Sequence, residues 1–324
     1  MKPSWSKLIY VGLTALVAFA SIVTVYLQYD FVASLIRNQT AYEDFIASVI
    51  LTVLVIALVR FRHQFRARLN LKDKKEVLEG VVYNTHLNFW EIVVLGWLFT
   101  AIFYLAIFSV DFEQYPGFIV VVEKLAFRGF IPIITASFFF MVISICLLKF
   151  LSIFQIRQAY KYANYLVLAG NNDFGSSPYP QLRDSFLTKR ASMLESLGTD
   201  HHEQQNEYFA DLDREELSSS YTFIRFLIWG IPVLGFLGTV WGISESISAF
   251  TVALGQTNVA GLSADLLKPA LDYLSVAFDT TLAALSFGLV AMFCASFMQK
   301  IEESLLSKCH ILLSGTRISS HVIH

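Results

Sequence analysis

Residues 231–246 read IPVLGFLGTVWGISES. The run is apolar enough to lie in a bilayer, yet it holds Pro232, a row of glycines, Thr239 and Glu245. Gly235, Gly238, Gly242 and Ser246 recur every three or four residues, which puts them on one face of a helix. A face that small predicts a second helix in close approach. Thr239 and Glu245 set polar groups beside that contact. In lipid such groups are costly and mark pathways for ions.

A second run of the same kind, LSVAFDTTLAALSFGLVAMFCASF, occupies residues 274–297. Ala277, Thr281, Ala284, Gly288, Ala291 and Ala295 fall on one helix stripe, and Asp279 and Thr280 stand beside Thr281 in its outer half. Two helices with small-residue faces and threonines predict a narrow polar lumen if several copies of the chain stand in a ring. Threonine hydroxyls donate and accept, and they tolerate apolar neighbours by bonding back to their own helix. A carboxylate in such a lumen can hold an ion whose hydration the pathway replaces.

Composition agrees with a membrane setting. Of 324 residues, 55% are hydrophobic and only 15% charged, against about a quarter charged in soluble globular chains. The mean hydropathy is +0.56. About six apolar stretches reach or approach the roughly 20 residues that a helical span needs. They are Leu8–Gln28, Phe45–Val59, Ile92–Val110, Phe130–Leu148, Phe226–Phe250 and Leu271–Phe297. The second is short, and residues 41–44 offer an extension. The fold class expected is all-α: a polytopic membrane protein with an extended helical cytosolic domain.

Arg60, Arg62, Arg66, Arg68, Lys72, Lys74 and Lys75 follow the second span and place that segment in the cytoplasm. Lys2 and Lys7, and Lys300, Lys308 and Arg317, put both termini there too. Ala18-Phe19-Ala20 resembles a signal-peptide cleavage site, but the apolar run continues to Leu27, which favours an uncleaved span. The net charge of -2 gives no reason to expect nucleic acid as a partner.

The cytosolic region predicted over residues 149–225 opens with apolar residues at helical spacing and reaches a helix stop at Gly170. The fourth span is therefore expected to continue as one helix to about Ala169, roughly 60 Å in all. Turn chemistry with Pro178 and Pro180 follows, then further helix over 181–222 broken near Gly198. His201 and His202 are adjacent and point to different helix faces, which fits a solvated surface better than a metal site. Cys146, Cys294 and Cys309 have no metal or redox spacing. The chain carries no nucleotide-binding loop, nucleophile elbow or zinc motif, so no enzyme activity, cofactor or metal is expected.

These residues resemble the MotA/TolQ/ExbB proton-channel family. The matching pieces are residues 232–250, with the core GFLGTVWGI, and residues 277–289, with TTLAAL. The resemblance implies an ion-conducting subunit of a rotary motor in the bacterial inner membrane. It implies a ring of five chains around two copies of a single-span partner of the MotB, TolR or ExbD type. The transported ion would be a proton or sodium. Thr239 and Thr281 take the positions of the threonines that line the ion route, and Pro232 that of a proline near the inner end. Where TolQ and ExbB carry a glutamate five residues before the second threonine, this chain has Val276, with Asp279 three residues on and about 60° around the helix.

The resemblance divides the chain into additional N-terminal spans (1–129), a long span and cytosolic helices (130–225), two pore-lining spans (226–300) and a cytoplasmic tail (301–324). Two other readings stay open. An ion-coupled secondary transporter would use Asp279 and Glu245, but the sequence lacks inverted repeats. A structural scaffold would need no intramembrane carboxylate.

Overall fold

The computed structural model describes residues 5–36, 46, 48–59, 83, 89–109, 130–170, 174, 175, 177–183, 185–196, 202–256 and 264–315. Among these residues the regular structure is helical throughout. The helices are α1 (Trp5–Ile36), α2 (Ser48–Val59), α3 (Phe89–Ser109), α4 (Phe130–Leu168), α5 (Pro180–Arg183), α6 (Phe186–Ser196), α7 (His202–Ser220), α8 (Thr222–Gln256) and α9 (Ala264–Gly315). A backbone in hydrocarbon must satisfy its own hydrogen bonds. That holds even the glycine-rich α8 helical, with Pro232 inside it.

Among the described residues, five helical stretches are long and apolar enough to cross a membrane. The sixth expected span is the shorter apolar helix α2, and the extension proposed at residues 41–44 lies outside the described residues. The basic segment 60–75 and His201 lie outside them as well. Helix α4 runs unbroken for 39 residues, as its spacing predicts. It stops where expected, at Gly170, whose φ of 76° is left-handed and whose N–H donates to Val167 O at 3.0 Å. Helix α9 is longer than the predicted span, with 52 residues. Residues 301–315, read as part of a tail, are its last turns, and Glu302, Cys309 and Leu313 there are buried.

The chain forms two compact units. One comprises residues 1–62, 88–144 and 225–293, the other residues 63–87, 145–224 and 294–324. In the first unit, Val17, Val55, Val59 and Val94 make a core shared by α1, α2 and α3. Gln28 Nε2 donates to Thr52 Oγ1 at 3.1 Å across α1 and α2. Helix α3 meets α4 at Gly96, where any Cβ would collide with Met141. The first half of α4 then packs on the two C-terminal helices of this unit. Phe139 stacks on Phe287 at 4.9 Å, and Phe138 fills the space beside Gly230.

In the second unit, Leu194 and Phe209 join α6 to α7. Tyr162 stacks on Tyr179 at 4.1 Å, fastening α4 to the turn before α5.

Candidate functional site

The two small-residue stripes face each other inside the first unit. A Cβ on Gly235 would overlap the Ala284 side chain. On Gly238 it would stand 2.6 Å from Thr280 Oγ1, and on Gly242 2.7 Å from Ala277 Cβ. Within one chain the stripes therefore serve the contact between α8 and α9. Gly288 lies beside Pro232, with 3.5 Å between a built Cβ and Pro232 Cγ. Ser246 Oγ closes the far end of the contact by donating to Ala270 O at 2.7 Å.

That close approach exposes the carbonyl groups of each helix to the other. Thr239 Oγ1 lies 3.2 Å from Gly235 O, one turn back on its own helix, and 3.4 Å from Ala277 O on the facing helix. Thr281 Oγ1 mirrors it, 3.2 Å from Ala277 O and 3.3 Å from Gly235 O. The two hydroxyls are also hydrogen bonded to each other. Two hydroxyl protons are thus distributed among four oxygens. Such a cluster can pass a proton by exchanging donor and acceptor roles, and its oxygens can replace part of an ion's hydration. Both threonines are half-buried, so each keeps an open side.

Thr280 points elsewhere: it is buried and donates to Ala277 O at 2.9 Å. Asp279 is 6% exposed, and Ser275 Oγ donates to its Oδ2 at 3.4 Å. Glu245 is half-buried and lines a cavity with Trp241, Asp272, Tyr273, Val276 and Thr280. Val276 and Asp279 thus part company: Val276 faces the cavity, and Asp279 is not in its lining.

The second unit holds buried charges that the sequence reading passed over. Lys149 on α4 and Glu302 on α9 meet at 3.0 Å with side chains 1% and 0% exposed. Tyr83 Oη and Tyr221 Oη donate to the same carboxylate at 2.7 and 2.8 Å. Lys149 Nζ also donates to Ser220 Oγ at 3.0 Å. A neighbouring group centres on Asp213. It accepts two bonds from Arg190, at 2.6 and 2.7 Å, one from the Tyr83 backbone N–H at 2.8 Å, and pairs with His310 Nε2 at 2.7 Å. Burial pushes the Asp213 carboxyl up, but the bonds from His310 and Arg190 outweigh it and hold it below the ordinary range. Burial, and then Glu302, push the Tyr83 and Tyr221 hydroxyls far up, so both stay protonated donors. Buried ions are tolerated only when paired and hydrogen bonded in this way.

Among the described residues no group of three or more His, Cys, Asp and Glu side chains is placed to hold a metal ion. No curated protein and no solved structure is detectably similar to the chain. Residues 180–310 match the sequence profile of the MotA/TolQ/ExbB proton channel family. That stretch contains α8, all but the last five residues of α9, the threonine pair and most of the buried charges of the second unit.

Proposed function

We propose that this chain, whose residues 180–310 belong to the MotA/TolQ/ExbB proton channel family, conducts protons or sodium ions as a ring subunit of a membrane motor. Five copies enclose two copies of a single-span partner of the MotB, TolR or ExbD type in the bacterial inner membrane, with both termini in the cytoplasm. Ion flow turns or displaces ring against partner, and the partner carries the work out of the membrane. Moving one charge through 100 mV releases about 2.3 kcal/mol, several times thermal energy. The protein is not an enzyme in this reading.

The observation that carries the proposal is the Thr239–Thr281 pair with its two shared carbonyls, standing where α8 and α9 cross. Ions reach it by way of Asp279, Thr280 and Glu245. Alternating partners of this kind suit conduction, since no single arrangement of the hydroxyl protons is uniquely favoured.

The test is to co-express the chain with a single-span membrane protein encoded beside it. Mass measurement of the extracted complex should give five chains with two partners. Liposomes holding that complex should take up protons or sodium under a potential. A monomer or dimer as the sole stable state, or a complex that passes no ions, overturns the reading.

A further inference from the structure

The first unit contains a cavity of ≈ 460 Å³ that shares Glu245 and Thr280 with the proposed ion route, but whose aromatic walls that route does not use. That volume suits a small organic ligand. Its walls are aromatic and aliphatic: Phe130 and Trp241 meet edge to face at 5.8 Å and 90°, and Tyr273 and Val276 stand on α9. Its lining contains two charged residues, Glu245 and Asp272, both anionic. Among the described residues neither carboxylate takes part in an ion pair or a side-chain hydrogen bond. Lys268, one turn before Asp272, is exposed and forms no ion pair with it among the described residues.

Charge and lining together select a ligand class. An anion is repelled. A neutral apolar molecule would cover the half-buried Glu245 carboxylate without compensating it. A hydrated metal ion could meet the two carboxylates but would leave the aromatic and aliphatic walls unused. A lipid headgroup with a phosphate brings negative charge to two negative groups. A small ammonium ion with an apolar body satisfies both features: the charge meets the carboxylates and the aromatic faces, and the body fills the cavity.

We propose that this cavity binds a lipophilic organic ammonium ion, with its charged head between Glu245 and Asp272 and its apolar body against Phe130, Trp241 and Tyr273. Gly238 and Thr280 also line the cavity, and they precede Thr239 and Thr281 in the chain. An occupant therefore holds a positive charge roughly 9 Å along α8 from Thr239, on the approach to the threonine pair, and regulates the passage of other cations. Glu245 also belongs to the ion route proposed above, but occupancy of the cavity does not depend on ions being conducted.

Benzyltrimethylammonium is the probe. It is titrated by calorimetry into the purified full-length protein in nanodiscs of uncharged lipid. Saturable binding at one site per chain is expected. Glu245→Gln combined with Asp272→Asn should weaken it at least about tenfold, and Trp241→Leu by several-fold to about tenfold. Should the double variant fail to assemble, Asp272→Asn alone serves, since Asp272 is exposed. Absence of saturable binding to the wild type, or equal affinity in the carboxylate variants, overturns the proposal. Ion flux measured in parallel separates the two readings, because a channel that conducts but does not bind the probe refutes this inference alone.

Discussion

Thr239 and Thr281 hold the same two carbonyl oxygens in common, those of Gly235 and Ala277. Each threonine therefore bonds its own helix and the facing one through a single hydroxyl. Replacing either with valine keeps the shape and removes the hydroxyl. Thr239→Val or Thr281→Val should abolish ion uptake into liposomes while the complex keeps its assembled mass. The stability lost should be small, about 1 kcal/mol for one interhelical bond. Asp279→Asn should have the same effect on flux. Full uptake in all three variants would remove the site assignment.

The glycines of α8 set the distance at which that sharing is possible. Gly238→Val places branched bulk where even a Cβ stands 2.6 Å from Thr280 Oγ1. Overpacking of this kind costs about 1–3 kcal/mol. Lower melting temperature and lost flux should appear together in Gly235→Val and Gly238→Val. Gly288→Ala, with 3.5 Å to its nearest neighbour, should melt like the parent protein. Thermal unfolding followed by circular dichroism, read beside flux, checks both halves.

Lys149 and Glu302 form a buried ion pair in which removing one partner strands the other. Glu302→Gln or Lys149→Met alone should lower stability by about 3–5 kcal/mol. The double variant should recover much of that loss, because no lone charge then stays buried. A double-mutant cycle measured by denaturant unfolding gives the coupling directly. Additive losses would show that the two side chains do not depend on each other.

Asp213 predicts a pH dependence. Its pKa is depressed below the ordinary 3.8, although burial opposes the depression, because His310 and Arg190 bond its charged form. A group of this kind contributes stability that is fully present above about pH 4 and lost as pH falls through the lower folded value. The share of stability that Asp213 gives the second unit should therefore be lost only as pH falls below about 4. Asp213→Asn should be less stable at neutral pH and show a flatter response to acid. Tryptophan fluorescence cannot report on this unit alone, so hydrogen exchange over α6 and α7 is the measurement.

Burial pushes the Cys309 thiol up to about 12, and its side chain is fully buried. It should resist maleimide at pH 7.5 in the native protein and react on denaturation. Prompt labelling in the native state would contradict the packing of the last turns of α9.

Much of this was legible in the sequence because one physical rule governs each part. Hydropathy gave the spans, and the spacing of Gly235, Gly238 and Gly242 gave the close helix contact. Gly170 gave the end of α4. The partner of the glycine stripe was assigned less well. Periodicity says that a face is small, but it cannot say whether the same chain or another copy covers it. The buried charges were missed for a different reason. Lys149 and Glu302 lie 153 positions apart; the lysine reads as a topology signal at the end of a span, and the glutamate as one more polar residue beyond one. A sharper signal was present. Lys149 continues the buried row of Met141, Ile145 and Ile153, and Glu302 that of Ala295, Met298 and Cys309. Opposite charges embedded in two apolar stripes are a prediction of pairing. Arg190 offered no such clue beside the exposed Lys189.

Tyr83 is held at both ends by different chemistry: its amide by Asp213, its phenol by Glu302. A substitution at position 83 can delete only the second of these tethers. Phenylalanine at 83 would remove one bond from the acid on α9, which keeps Lys149 and Tyr221, while the amide stayed moored. Breaking the amide's hold demands a change at position 213 instead. The two anchorages of this residue are therefore separable by genetics, although a change at 213 also releases Arg190 and His310.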